Sequence, residues 1–568
     1  MVKFMESEKL NGAQWLARTL AENEVTHVFF VDAVLRNTLV QMDLPDQKKI
    51  KRVLAHSEKS AAYMADGYAR AARRPGFCFA QSVGAANLAA GLQDAWLGQS
   101  PVIALTGKKD SSFQFRNAYQ EIPHAPMFSA VTKLTAPVEN ATELPRLLSL
   151  ACREATNGRV GPIHLDMNGI YGDIVELGTV QQEVPELPAL KTDAPIHRTC
   201  PDPQRVAKAV ELLQSEQKIV IIAGRGAAIS GAGPEIIELA TRLNAPIAAE
   251  LGALEIIPFD HPNFIGAAGR YAAPPANEII FQADLVVFIG SDTGELVTDA
   301  WQVPGLEQKV LQLDIDPVEF GRSYRHTFGL AGDPKLAAGK LLEGLHSANP
   351  DKSYLEWAQG VVQDWRTELA QDEKSQATPI HVSRLFDAIN RTLPDNGVLV
   401  ADTGFSATWA AIHLRLNGTT QRFLFAAGSL GWSFPAAIGA KCALPDAPVV
   451  CFTGDGGLYY HIAELETAKR LNIPLVVVVN NNSGFGQSWA NISRTQGDYP
   501  GDPADLGKFG PTNFAEVARS FGVQAIRVEQ PDQIEAALEK ALASNEVFVL
   551  DVVTDFNVRA PQPWLPKD

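Results

Sequence analysis

Short strand-like runs recur along this chain, and stretches of helical period separate them. Val28–Val31, Lys51–Ala55, Val102–Thr106, Pro162–Met167, Ile219–Ala223, Leu285–Ile289, Val310–Ile315, Gly397–Ala401, Val449–Thr453, Leu475–Val479 and Val547–Val553 make up the series. Mostly apolar runs of this length suit strands covered on both faces, and the helical stretches between them are the crossovers that a parallel sheet requires. The fold class is therefore α/β. The rhythm breaks twice. Residues 184–203 hold Pro185, Pro188, Pro195, Pro201 and Pro203 and read as an extended linker. A charge-rich stretch ending at Thr378-Pro379 reads as a second linker. Three blocks result, 8–183, 204–345 and 378–568, each expected to form a doubly wound parallel sheet. An amphipathic helix over Asn11–Asn23 opens the first. No short-period repeat is visible.

Charge and cysteine content narrow the function classes. The 568 residues carry 49 basic and 65 acidic side chains, a net charge of −16. Such a surface repels phosphate backbones, so no nucleic-acid partner is expected. The five cysteines are scattered and form no Cys-x-x-Cys pair. That excludes a disulfide framework and a zinc site and points to a reducing, cytoplasmic setting. Met1 to Gly12 is charged throughout, unlike a signal peptide, and no apolar run approaches a bilayer span, so no membrane partner is expected.

The strongest chemical signal lies in the third block. The strand Val449–Thr453 ends in Gly454-Asp455-Gly456-Gly457, and a helix is expected over Leu458–Leu471. The next strand, Leu475–Val479, ends in Asn480-Asn481-Asn482-Ser483-Gly484-Phe485-Gly486. Both turns then fall at the C-terminal edge of a parallel sheet, where open α/β sheets bind ligands. A carboxylate and an amide oxygen are hard ligands suited to Mg²⁺ or Ca²⁺. One protein charge leaves such an ion net positive and able to hold an anion such as a diphosphate. The glycines allow backbone amides to approach the phosphates, and the helix adds its N-terminal end.

This Gly-Asp-Gly, with the paired asparagines that follow it, resembles the signature of thiamine-diphosphate enzymes. The resemblance implies Mg²⁺ held by Asp455, the Asn482 side chain and the Gly484 carbonyl. It also implies a glutamate in the first block, and Ala55-His56-Ser57-Glu58-Lys59-Ser60-Ala61-Ala62 is similar to that segment, with Glu58 opening a helix after a strand. In this family such a carboxyl hydrogen-bonds the aminopyrimidine and favours the imino tautomer that removes the thiazolium C2 proton. Gly84 and Asn87 resemble a glycine-rich turn of the first domain. Tyr119-Gln120-Glu121 and Thr132-Lys133 resemble segments lining the approach to the active site. Asp402-Thr403-Gly404 and Gly428-Ser429-Leu430-Gly431-Trp432 resemble turns that hold the diphosphate and the aminopyrimidine, Leu430 being the large apolar residue under the cofactor. The implied domains are pyrimidine-binding, central and diphosphate-binding. The implied cofactor contacts are Glu58, Gly84, Asn87, Thr403, Gly404, Ser406, Gly428, Leu430, Gly454, Asp455, Gly456, Gly457, Asn482, Gly484, Phe485 and Gly486.

The pattern is most similar to the acetolactate-synthase-like branch, and its departures cluster around the substrate. The first strand runs into Val31-Asp32-Ala33 instead of Pro-Gly, Gln81-Ser82-Val83-Gly84 stands for Ser-Gly-Pro-Gly, and Ser57 replaces a histidine. A tryptophan of true acetolactate synthases falls near Asn491, with Trp489 two positions earlier. In that branch the central domain holds FAD beside an Arg-Phe-Asp-Asp-Arg segment. Here Gly290-Ser291-Asp292-Thr293-Gly294-Glu295-Leu296 offers acids and no arginine, so FAD is not expected. Candidate catalytic residues are Glu58, Gln120 and His124. His124 reads either as a proton relay to a bound carbonyl or as a loop histidine with ordinary hydrogen bonds; His56 and His461 read as structural.

The expectation is a carboligase that makes or breaks a carbon–carbon bond next to a carbonyl, acting on small 2-keto acids, 2-hydroxy ketones or diones. Its alternatives are a benzaldehyde-lyase-like, 2-hydroxyacyl-CoA-lyase-like or dione-cleaving enzyme, then a flavin-dependent oxidase or a non-catalytic subunit. The resemblance further implies a homodimer or homotetramer with active sites at the subunit interface.

Overall fold

The computed structural model describes residues 9–44, 50–345, 351–495 and 503–567, so Glu8 at the start of the first block lies outside the described residues. Three six-stranded sheets account for the strand-like runs, and every pairing within them is parallel. The first contains β1 (His27–Phe30), β2 (Lys51–Leu54), β3 (Gly76–Ala80), β4 (Val102–Lys108), β5 (Leu134–Val138) and β6 (Ile163–Asn168) in the order β2-β1-β3-β4-β6-β5. The second contains β7 (Ile219–Ala223), β8 (Ile247–Ala249), β9 (Phe264–Ala267), β10 (Leu285–Ile289), β11 (Lys309–Asp314) and β12 (Thr327–Ala331), ordered β9-β8-β7-β10-β11-β12. The third contains β13 (Val398–Ala401), β14 (Arg422–Phe425), β15 (Val449–Gly454), β16 (Val476–Asn481), β17 (Gln524–Val528) and β18 (Phe548–Val553), ordered β14-β13-β15-β16-β18-β17.

The first and third sheets thus share one strand order, and the middle sheet has the order of a dinucleotide-binding fold. Val286, Val287 and Phe288 in β10, like Val477 and Val478 in β16, are fully buried, as strands covered on both faces must be.

The helices that matter for the site follow strand ends. α1 (Gly12–Glu22) starts at Asn11, whose side chain accepts from the Gln14 amide while Gln14 bonds back, a reciprocal capping box. α2 (Glu58–Ala72) follows β2, and α3 (Ser82–Leu97) follows β3. α4 (Lys352–Asp372), α5 (Phe405–His413) and α6 (Ser433–Ala443) come next. α7 (Asp455–His461) and α8 (Glu464–Arg470) follow β15, and α9 (Gly486–Thr495) follows β16.

Three expectations are corrected. The single helix over Leu458–Leu471 is two short ones, starting already at Asp455 and interrupted at Ile462–Ala463. The charge-rich second linker is largely α4, whose Tyr354, Ala358 and Val362 are buried against the central sheet's core while its acids stay outside. The proline-rich stretch after residue 183 is not a free extended chain. Leu187, Ala189 and Leu190 join the first core, and Asn23 holds the start of the stretch at two points, donating to the Pro185 carbonyl and accepting from the Leu187 amide.

By contacts the chain divides into two compact units. Residues 1–196, 426–447 and 460–475 form one; residues 197–425, 448–459 and 476–568 form the other. In the first, α6 crosses α2 at backbone contact. A Cβ on Gly67 would stand 2.1 Å from the Ala436 carbonyl oxygen, and one on Gly439 would stand 1.9 Å from that of Met64. In the second, one continuous apolar core runs from Ile221 and Ile289 of the central sheet to Phe452 and Leu550 of the third.

Candidate active site

In the second unit, the turns after β13, β15 and β16 stand side by side because these strands are neighbours. Asp455, the first residue of α7, is buried. Its Oδ1 accepts from the Gly456 amide at 2.6 Å and its Oδ2 from the Gly484 amide at 3.0 Å. Burial pushes its carboxyl up to about 6, against the pull of these amides. Beside it the Asn482 Oδ1 is buried with no hydrogen-bond partner. A carboxylate short of positive charge and an orphaned amide oxygen in one cradle are the pair of hard donors that a Mg²⁺ ion would satisfy.

The glycines here are required by space. A Cβ on Gly484 would meet the Gly507 carbonyl oxygen at 2.4 Å, one on Gly456 the Phe485 ring at 2.3 Å, and one on Gly457 Thr453 Oγ1 at 2.7 Å. Gly404 has a φ of +68° and opens α5, whose first turn has no side-chain cap. Its free N–H groups, with Thr403 and Ser406 alongside, suit an anion. Gly454 and Gly486 complete the rim, the latter with its missing Cβ 3.3 Å from Asn482 Nδ2.

The first unit assembles the other candidates. Glu58 opens α2 behind Ser57, whose hydroxyl accepts from the Lys59 amide at 3.2 Å. Glu58 Oε2 accepts from Asn87 Nδ2 at 2.9 Å, and a Cβ on Gly84 would stand 2.3 Å from Oε1. Glu58, Gly84 and Asn87 are therefore one group at the start of α2 and α3. Gln120 has a left-handed backbone, φ +59°, pinned where Ser82 Oγ donates to its carbonyl at 2.6 Å. Its side-chain Oε1 is buried without a partner.

His124 is not a free imidazole. It is buried, with Nδ1 2.9 Å from Asp166 Oδ1 and Nε2 3.0 Å from the Ser82 carbonyl oxygen. Thr106 Oγ1 donates to the same Asp166 oxygen at 2.8 Å and lies 2.6 Å from His164 Nε2. The signal the sequence lacked is Asp166, on the neighbouring strand β6. Among the described residues these two histidines and Asp166 are the cluster with metal-like spacing, and their hydrogen bonds to one another and to Thr106, Thr135 and Ser82 already occupy the ligand atoms. His461 bonds Ser60 Oγ at 2.8 Å through Nδ1, and His56 bonds Glu466 at 2.8 Å. Gly428 and Leu430 lie in the turn before α6, Gly428 with a φ of +151°.

A cavity of about 700 Å³ lies in the second unit, lined by Phe405 and Thr408 of α5, Gln487 and Asn491 of α9, and Arg270 and Arg559. Trp489 instead packs beside Phe556. At the end of the central sheet, Glu250 accepts from the Arg225 amide at 3.1 Å and from Ser291 Oγ. Burial and the nearby Asp292 push the Glu250 carboxyl up to about 7. Glu295 and Asp299 both pair with Arg270.

Family models match the chain in three consecutive segments. Residues 10–127 match the N-terminal TPP binding domain of thiamine pyrophosphate enzymes, residues 206–341 the central domain and residues 402–552 the C-terminal TPP binding domain. A probable acetolactate synthase large subunit of Methanocaldococcus jannaschii is 31% identical, the match covering 96% of this chain and 92% of that protein. The acetolactate synthase isozyme 2 large subunit of Escherichia coli is 29% identical over 96% of both chains. A putative thiamine pyrophosphate-containing protein of Bacillus subtilis is 26% identical over 95% of this chain and 91% of its own length. Three matched domains in the family's order, with full-length similarity at this level, place the chain among the thiamine pyrophosphate enzymes, in their acetolactate-synthase-like branch of thiamine-diphosphate-dependent carboligases.

Proposed function

We propose that this enzyme takes a 2-keto acid as donor, releases its carboxyl group as CO₂ and joins the remaining acyl unit to a second small carbonyl compound, with thiamine diphosphate and Mg²⁺ bound. The observation that carries the reading is the cradle of buried Asp455 and orphaned Asn482 Oδ1, whose unmet needs are those that a divalent cation would satisfy. The Gly484 carbonyl is the third protein ligand. The amides at the start of α5, with Thr403, Gly404 and Ser406, hold the phosphates, and the turns of Gly454, Gly456, Gly457, Phe485 and Gly486 close around them. Gly428 and Leu430 seat the aminopyrimidine.

Bound thiamine diphosphate supplies an electron sink that stabilises charge left on the donor carbon after CO₂ departs. Glu58, steadied by Asn87, presents a carboxyl group to the aminopyrimidine and moves a proton there. Gln120 aims its unpartnered amide oxygen at the approaching substrate. His124 acts by holding Ser82, and through it the left-handed Gln120 backbone, in place. The cavity beside α5 and α9 leaves room for an acceptor, with Asn491 and Arg559 facing it.

The enzyme works as a homodimer or homotetramer with shared sites. A cytoplasmic location is supported by five free cysteines, four of them buried. Among the described residues no helix is long and apolar enough to cross a membrane. The test is incubation of protein, thiamine diphosphate and Mg²⁺ with pyruvate alone, then with paired 2-keto acids and aldehydes, with products identified by mass spectrometry. Cofactor-dependent ligation products support the reading. Cleavage of 2-hydroxy ketones or cyclic diones without ligation moves the enzyme to the lyases.

A further inference from the structure

Asp94 sits in the interior of α3, fully buried, at a position where aspartate is a poor helix former. Both of its carboxylate oxygens leave the helix. Oδ1 accepts from the Ala427 amide and Oδ2 from the Ser429 amide, each at 3.0 Å, so one carboxylate straddles Gly428. Arg70 of α2 completes the grip. Its Nη2 donates to Asp94 Oδ1 at 2.9 Å and to Asp66 Oδ2 at 2.7 Å, while its Nε donates to Asp66 Oδ1 at 2.8 Å. Asp66 Oδ2 also accepts from Trp432 Nε1 at 2.8 Å, on the far side of the same turn, and the Arg70 guanidinium lies over the Trp432 ring. Gln93 adds a contact to Ser429 Oγ at 3.4 Å.

Each end of the Gly428–Gly431 turn is therefore fixed by a buried carboxylate, and the two carboxylates are fixed by one guanidinium. Gly428, between the pinned amides, takes a φ of +151° that residues with a side chain rarely adopt, and a Cβ there would meet nothing within 4 Å. The turn is held from behind and open in front. α3 also carries Asn87, two turns earlier on the same face, against Glu58.

The geometry points to Asp94 and Asp66, clamped on Arg70, as positioning residues that set the Gly428–Leu430 turn for the aminopyrimidine ring of thiamine diphosphate. This rests on the role proposed above for Gly428 and Leu430. A carboxylate is needed at Asp94 because three donors converge on it: two backbone amides and Arg70. Asparagine offers one oxygen and would set its NH₂ against at least one of them. The clamp's bonds go to the turn that seats the ring, whereas the residues proposed for the diphosphate lie on other turns, so its loss is expected to be selective.

The test compares full-length wild-type protein, Asp94→Asn and Trp432→Phe by calorimetric titration with two probes, thiamine diphosphate and inorganic diphosphate, each with Mg²⁺. Asp94→Asn should weaken thiamine diphosphate about tenfold or more and leave inorganic diphosphate binding unchanged, with a wild-type circular dichroism spectrum. Trp432→Phe keeps the ring over Arg70, loses only the bond to Asp66, and should show the same selectivity in smaller measure. Equal loss for both probes, or wild-type affinity for thiamine diphosphate in either variant, overturns the assignment. If Asp94→Asn does not fold, Trp432→Phe decides alone. A wild-type protein that binds inorganic diphosphate but not thiamine diphosphate overturns the underlying cofactor reading, which separates that failure from failure of the clamp.

Discussion

The Glu58 carboxylate occupies the space that a side chain on Gly84 would fill: a Cβ there would lie 2.3 Å from Oε1, 2.8 Å from Cδ and 3.0 Å from Cγ. Gly84 is in helical conformation inside α3, so alanine would suit its backbone. What the glycine protects is the position of Glu58.

Gly84→Ala should therefore push the Glu58 carboxyl aside at little cost to the fold. The expected outcome is a melting temperature within a few degrees of wild type and a loss of about 100-fold in turnover, the scale of an ångström-sized misplacement. Wild-type turnover by Gly84→Ala, measured under saturating cofactor, would show that Glu58 does not act from this position.

Mixed dimers examine the shared site. Glu58→Gln should bind cofactor and lose about 100-fold or more in rate; Asp455→Ala should lose cofactor retention. In a re-associated mixture, one interface of each heterodimer would collect both lesions and the other would be intact. Activity should reappear above that of either parent. If both chains dimerise and nothing returns, the site is built within one chain.

Removing the ligands should expose the cradle's dependence on them. Protein stripped with chelator and dialysed should melt lower than the holoenzyme. Thiamine diphosphate with Mg²⁺ at a hundredfold excess over Kd should restore about 2.7 kcal/mol. Thiamine diphosphate added without any divalent ion should restore little. An equal rise without metal would remove Asp455 and Asn482 as its ligands.

Glu250 gives a pH dependence of known sign. Its folded-state value lies above the ordinary 4.5, at about 7, because burial and Asp292 oppose its charge. The native protein thus binds this proton more tightly than the unfolded chain does. The stability it contributes is full below pH 4.5 and is lost as pH rises through about 7. Glu250→Gln, whose one oxygen can accept from the Arg225 amide while its NH₂ donates to the Ser291 hydroxyl, should match wild type near pH 4.5 and be more stable by about 1–3 kcal/mol above pH 7.5. Thermal melts across that range check it; parallel curves would place the charge elsewhere.

Much of this architecture is legible in the sequence because buried parallel strands and the glycine-bounded turns after them are local patterns. Asp455, Asn482 and Glu58 announce themselves at strand ends. What escapes is non-local or masked by composition. The charged surface of α4 hides the few apolar residues that dock it. Prolines after residue 183 suggest a loose chain, yet Asn23, far away in sequence, holds it. The break at Ile462–Ala463 lies within a segment whose helical period continues across it. Asp166 beside His124, and Asp94 beside Ala427 and Ser429, are brought together only by the folded sheet and its helices, and no spacing rule joins them.

The crossing of α2 and α6 at Gly67 and Gly439 bears on how the chain is made. Family models cut it into three consecutive pieces, whereas α2 is covered by a helix from the last of them. On the ribosome the first block emerges long before Ser433–Ala443 has been synthesised, and it must wait with one apolar side of α2 bare. Such an interval is where a nascent chain aggregates or recruits a chaperone. A fragment ending after the first block would live permanently in that state.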